Sequence, residues 1–165
     1  MLEPGFENSY VKLMSRAFVK ETEALDELPE RLVSEHRNLV TPEGLAQIED
    51  EIKRLQEELT AAHDSGDRNA IARASRDLRY WNQRLGKAEL QAPVTDTSVV
   101  SFGTSVTIER DDGRVQKFRI VGEDEANPSK GSISYVSPLA QALMGKAVGD
   151  VVKAGGGEAE IIKIE

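Results

Sequence analysis

Asp64 and Asp67 are the residues of this 165-residue chain whose types and spacing come nearest to chemistry. They stand three apart in the polar stretch His63-Asp64-Ser65-Gly66-Asp67-Arg68. Two close carboxylates are hard oxygen ligands for a divalent cation such as Mg2+. A cation held that way can activate water for phosphodiester hydrolysis. The same residues also have a plain conformational use: Asp67 suits the N-cap of a following helix, and Asp64 is an ordinary polar turn residue. Other constellations are weaker. His36 and His63 are far apart in sequence and lack an obvious partner. Gly155-Gly156-Gly157 is followed by neither a lysine-serine pair nor a helix start, so it reads as a hairpin turn and not as a phosphate loop. Asp111-Asp112 is likewise a solvated turn.

The elements on either side fix where the two carboxylates stand. Leu45, Ile48, Ile52, Leu55, Leu59 and Ala62 recur at alternating spacings of 3 and 4, and so do Ile71, Ala74, Leu78, Trp81, Leu85 and Ala88. Each series is the seam of a coiled coil. A short polar turn between two helices makes them pack antiparallel. One register pairs Leu45 with Ala88, Ile48 with Leu85, Ile52 with Trp81, Leu55 with Leu78, Leu59 with Ala74 and Ala62 with Ile71, with the apex between Gly66 and Asp67. Residues 43–63 carry six acids against two bases, and residues 68–88 carry six bases against one acid. Opposite charge beside the seam favours the same pairing, although each exposed pair contributes only about 0–1 kcal/mol. Thr41-Pro42-Glu43 supplies a cap, a first-turn proline and an acid for the helix N-terminus. The first helix is expected to run to about His63 and the second to about Glu89. Asp64 and Asp67 then sit at the exposed apex of the hairpin.

Composition narrows the function classes. A hydrophobic content of 39% with 30% charged residues is that of a soluble protein, and no apolar run approaches the roughly 20 residues that span a bilayer. The first residues lack a basic-then-apolar signal pattern, since Glu3, Pro4, Glu7 and Asn8 interrupt it. The absence of cysteine excludes disulfides and thiolate zinc sites and fits the cytoplasm. A net charge of −8 argues against general affinity for the nucleic-acid backbone and favours a protein partner or a cation.

Residues 1–40 read as an acidic N-terminal extension, partly disordered, with a short helix at residues 8–18, an extended linker at Leu28-Pro29-Glu30-Arg31, and Phe18 or Leu39 available to pack on a later domain. Residues 41–92 form the hairpin and residues 93–165 a second domain. There the period changes to 2: strands are expected at Thr104–Arg110 and Val115–Val121 around the Asp111-Asp112-Gly113 turn. Shorter strands follow at Ile133–Val136, Val151–Lys153 and Ala159–Ile164, the last with Ile162 and Ile164 on one face and Ile161 on the other. Ser137 caps a helix that opens on Pro138 and ends at Gly145. The fold class is α+β: an antiparallel helical hairpin, then a small antiparallel sheet with one helix laid on it.

Several stretches of residues 41–165 resemble the bacterial Gre transcript-cleavage factors, GreA and GreB. The likeness is carried by Val40-Thr41-Pro42-Glu43-Gly44, Ser65-Gly66-Asp67 and Phe102-Gly103-Thr104-Ser105-Val106-Thr107. It continues through Phe118-Arg119-Ile120-Val121-Gly122-Glu123-Asp124-Glu125-Ala126, Ile133-Ser134-Tyr135-Val136-Ser137-Pro138-Leu139-Ala140 and Leu143–Val152. The resemblance implies that residues 93–165 are an FKBP-like domain that docks on bacterial RNA polymerase beside its secondary channel, with Ser137, Pro138 and Leu139 near the contact. It implies that the hairpin enters the channel, where Asp67 and Asp64 as tip carboxylates help hold a Mg2+ shared with the polymerase. The chain then has no cofactor of its own, is not a complete enzyme, touches DNA and nascent RNA only through the polymerase, and acts as a monomer.

The tip departs from the family pattern. There a Gly-Asp is followed two residues later by a Glu-Asn-Ala-Glu-Tyr stretch; here Gly66-Asp67 is followed by Arg68-Asn69-Ala70-Ile71. Asp67 matches the first carboxylate and no acid stands at the second, with Asp64 as a substitute from the other side. The hairpin is also shorter than the family's by roughly one heptad per helix, on the order of 10 Å of reach at about 1.5 Å per residue. Two readings follow: an elongation factor that stimulates cleavage of backtracked RNA, and a cleavage-inactive channel binder that inhibits or competes with Gre factors. A coiled-coil interaction module unrelated to polymerase is a third, against which the long C-terminal likeness counts. Peptidyl-prolyl isomerase activity is disfavoured, because only Phe102, Phe118 and Tyr135 could line a proline pocket.

Overall fold

The computed structural model describes residues 28–165, which divide into two compact units. The expected helix at residues 8–18 and Phe18 lie outside the described residues. One unit joins Leu28–Leu32 to residues 53–80; the other comprises residues 33–52 and 81–165.

The first unit holds the apex of the hairpin. Helix α1 (Pro42–Ser65) ends there and helix α2 (Arg68–Gly86) begins. Leu55, Ala62, Ala74 and Leu78 are buried, while Leu59 and Ile71 are half-buried, as the seam requires. Gly66 adopts a left-handed φ of 70°. Its N–H donates to His63 O at 3.2 Å, and the Asp67 N–H donates to Ala62 O at 3.0 Å. This pair of bonds is the Schellman closure, which satisfies carbonyls that a helix end otherwise leaves free.

In the second unit the expected N-cap is formed: Gly44 N–H donates to Thr41 Oγ1 at 3.0 Å. Ile48 and Ile52 of α1 are buried, with Trp81 and Leu85 of α2 half-buried. Helix α2 stops at Gly86, earlier than the seam suggests, because the next residues are taken by a strand pair. Strand β1 (Asn38–Val40) lies parallel to β2 (Ala88–Leu90), Leu39 opposite Glu89.

A five-stranded sheet follows, built from β3 (Ser105–Arg110), β4 (Val115–Val121), β5 (Ser132–Ser134), β6 (Val151–Ala154) and β7 (Gly157–Ile164) in the order β5-β4-β3-β7-β6. All pairings are antiparallel except β4 with β5. Helix α3 (Pro138–Leu143) covers a core of Val106, Ile108, Ile120, Ile133, Leu143, Val152 and Ile161. The α+β class therefore holds.

One face assignment is corrected. Ile161 and Ile164 are the buried residues of β7, and Ile162 is 38% exposed. Strict alternation fails because the β3–β7 register shifts between Thr107 and Ile108, pairing Val106 with Ile164 but Ile108 with Ile161. A bulge of this kind inserts one extra residue and turns the following side chains to the other face.

Candidate functional site

The tip is made by local chemistry. Asp67 closes α1 through its backbone and caps α2 through its side chain, with Ala70 N–H donating to Oδ1 at 3.0 Å. Its carbonyl accepts from Ile71 N–H at 2.9 Å. Asp67 is thus a turn residue in three of its polar groups, and Oδ2 carries its remaining acceptor capacity. Asp64, on the last turn of α1, is exposed, as are Asp67 and Arg68. Arg68 is the first helical residue after the cap, where a cation is disfavoured by the N-terminal dipole.

Two exposed carboxylates, one committed to a cap, do not make a resident metal site. Among the described residues no group of three or more His, Cys, Asp or Glu is placed to hold a metal ion. An ion at Asp64 and Asp67 would find no third His, Cys, Asp or Glu ligand among the described residues.

Ser137, Pro138 and Leu139 stand at the start of α3. Ser137 Oγ accepts from Ala140 N–H at 3.3 Å, so its hydroxyl is the helix cap. Pro138 is exposed at the first helical position. Leu139 packs partly against the sheet core. Of the three, Pro138 offers the most surface to a partner. Just before them, the Phe102 and Tyr135 rings meet edge to face, centroids 5.8 Å apart.

Two features escaped sequence reasoning. The first is Arg84, which the helix charge pattern places on a basic flank but which is 1% exposed. Its Nε donates to Asp124 Oδ2 at 2.6 Å, its Nη2 donates to Asn38 Oδ1, and its carbonyl accepts from Asn38 Nδ2 at 2.8 Å. Glu123 Oε2 stands 3.6 Å from Nη2. Arg84 Nη1 and Glu123 Oε2 are buried without a hydrogen-bond partner among the described residues. The second is Glu125, whose Oε2 accepts from Thr41 N–H and Gly122 N–H, each at 3.2 Å, and whose Oε1 accepts from the Thr41 hydroxyl. Glu125 lies where a Cβ on Gly44 would be, 2.1 Å from its Cδ, and a Cβ on Gly122 would be 2.4 Å from Leu39 O. Both glycines are needed for close approach. The available signal was Asn38, a lone polar residue beside Leu39 and Val40, and the acid run Glu123-Asp124-Glu125.

A family model described as the C-terminal part of transcription elongation factor GreA/GreB matches residues 95–165. The transcription elongation factor GreA of Solidesulfovibrio magneticus is 36% identical over 132 residues, covering 68% of this chain and 80% of that protein. GreA of Rhodopseudomonas palustris is 37% identical over 150 residues, covering 76% and 95%. GreB of Neisseria meningitidis serogroup B is 31% identical over 156 residues, covering 80% and 96%. Among solved structures, the GreA factor homolog 1 protein of Thermus thermophilus aligns at a TM-score of 0.38 and 25% identity, covering 79% of this chain and 99% of that one.

Proposed function

This chain belongs to the GreA/GreB family of transcription elongation factors, and on that premise we propose that it binds bacterial RNA polymerase at the secondary channel and modulates elongation. The observation that carries the reading is a likeness to GreA and GreB that covers most of their length and takes in both hairpin and sheet. Docking is assigned to the start of α3, with Pro138 outward and Ser137 and Leu139 beside it. The chain is a ligand of the polymerase and not an enzyme in its own right. Any Mg2+ belongs to the polymerase, and Asp67 and Asp64 present oxygens toward it.

Docking is tested by co-purification. The full chain is expected to co-purify with its cognate polymerase, and Pro138→Glu to weaken binding about tenfold, the equivalent of 1.4 kcal/mol. A wild-type chain that leaves no trace on the polymerase sinks the proposal.

The tip favours a second reading, in which the factor occupies the channel without stimulating cleavage. Asp67 is engaged in the turn, Arg68 follows it, and no acid stands at the next family position. The assay is RNA cleavage in backtracked complexes. Asp67→Asn is the informative variant, because asparagine caps a helix about as well as aspartate, so charge is removed with the turn intact. Stimulation by the wild type that falls at least tenfold in Asp67→Asn supports donation of a carboxylate. Wild type that fails to stimulate, yet suppresses cleavage by an active Gre factor, supports the channel-occupying reading.

A further inference from the structure

Strand β6 is one edge of the sheet and is paired with β7 alone. The two-residue turn Gly155-Gly156 makes Ala154 and Gly157 the closing pair of that ladder. In an antiparallel pair every second residue turns its N–H and C=O away from its neighbour. Val151 and Lys153 therefore direct theirs outward, and neither has a hydrogen-bond partner there among the described residues. Such an edge is a template for a further strand. The outer face beside it is apolar at its centre. Val152 and Ala154 are buried, whereas Val151 is 57% exposed. Ile162, which the bulge turns outward, is the diagonal neighbour of Val151 on β7. Val148, just before the strand, is as exposed as Val151.

Charge selects the occupant. Val151 stands opposite Glu160, and Glu160 stands opposite Glu109 in the next ladder. With Asp111 and Glu158 these residues wall a hollow of about 340 Å3. Arg110 also lines it, but its guanidinium donates to Gln116 Oε1 and Ala154 O. Lys153 faces Glu158 across the ladder. Glu109 and Glu160 make no ion pair among the described residues, and like charges directly opposite destabilise a sheet. A cationic side chain from outside relieves that repulsion. Reach agrees as well. A strand added to β6 lies two strand spacings from β7, about 9–10 Å. A lysine or arginine stem laid over Val151 spans that distance together with the Glu160 side chain. A second copy paired edge to edge would set one acidic wall beside another, so the occupant is a different chain.

We propose that the β6 edge takes up an extended segment of a partner protein as a further strand, with a lysine or arginine of that segment crossing Val151 to sit between Glu109 and Glu160. Main-chain bonds to Val151 and Lys153 supply the affinity, and the acidic hollow supplies the selectivity. The site uses neither the hairpin tip nor the start of α3, so it is independent of the docking proposed above.

The test uses the full-length, isotope-labelled chain and a capped peptide of sequence Thr-Val-Arg-Val-Thr-Val, without polymerase. The amide signals of Val151 and Lys153 are expected to shift saturably, and their exchange with solvent to slow about tenfold or more, as those N–H groups gain a strand partner. The same peptide with glutamate in place of arginine is expected to bind about tenfold more weakly. Glu109→Gln with Glu160→Gln is expected to weaken binding by a similar factor while the melting temperature of the free chain holds or rises. A merely structural role for these acids would lower it. Lys153→Pro removes an outward N–H and leaves the bonds to β7, so it is expected to abolish binding with the sheet's amide dispersion intact. No saturable shift at millimolar peptide, shifts centred on the hairpin, or equal binding of the two peptides overturns the proposal. So does protection of the Val151 and Lys153 amides before peptide is added, because the edge is then filled by this chain or by a second copy of it.

Discussion

Arg84→Met is expected to destabilise the unit that holds the sheet by about 3–5 kcal/mol, the usual consequence of removing one member of a buried ion pair. The substitution keeps most of the apolar stem but removes the donors to Asp124 and Asn38. Asp124 would be left without its guanidinium, and Asn38 Oδ1 without its donor. A buried acceptor stripped of its partner costs about 1–3 kcal/mol, and more when charged. For a chain of this length the melting temperature moves about 2–4 °C per kcal/mol, so a fall on the order of 10 °C is expected. Trp81, the only tryptophan, lies one helical turn before Arg84 and provides a fluorescence readout. Arg84→Lys keeps the charge but not the fork, and should recover only part of the loss. The network already carries two unsatisfied buried atoms, Arg84 Nη1 and Glu123 Oε2. Replacing Arg84 and Asp124 together by Met and Leu should therefore cost less than Arg84→Met alone. A single variant within about 1 kcal/mol of wild type would remove the network from the list of what holds this unit together.

Leu55→Asp is the second large effect. Leu55 is 2% exposed at the middle of α1, and its seam partner Leu78 is 9% exposed. The change gives up the burial of a leucine, about 1.5–3 kcal/mol. It also forces a carboxylate into an apolar layer, where it must either ionise without a partner or take up a proton. A helical pair depends on such layers more than on helix propensity, so the apex is expected to lose its helical structure. Far-UV ellipticity should drop and the amide signals of Ala62, Ala74 and Leu78 should collapse toward random-coil shifts. The sheet has its own core of Val106, Ile108, Ile120 and Ile161, and its amide dispersion should persist. Unchanged helicity in this variant would contradict the seam.

The helices, their caps and the α+β class were legible because the signals are local. Seam spacing, Thr41 and Asp67 as caps, the polar turn around Gly66 and Ser137-Pro138 as a helix start each act within a few residues. What was not legible depends on partners far along the chain. Glu89 reads as helix until Asn38–Val40 captures Ala88–Leu90 by strand pairing. Ile162 reads as a core residue until the bulge opposite Thr107 turns it outward. Arg84 belongs to the basic flank by pattern and to the interior by contact. At the candidate site the sequence located Asp64, Asp67 and Arg68. It also anticipated the cap at Asp67, but not that the residue closes α1 through its backbone while its Oδ1 caps α2, leaving Oδ2 to face outward contacts.

The pairing of β1 with β2 bears on the order in which the chain folds. Asn38 and Ala88 are neighbours in the strand pair, yet the whole hairpin lies between them. Joining the ends of a flexible segment costs entropy that rises with its length, and such distant pairings form slowly when nothing brings the ends together. The Gly66–Asp67 turn and the first seam layers are close in sequence and need no such help. Zipping from the apex shortens the effective loop layer by layer, so β1 and β2 meet last, once the helices have carried them together. The strand pair is then a latch on a process begun at the opposite end, and substitutions in it should speed unfolding while leaving the folding rate nearly unchanged.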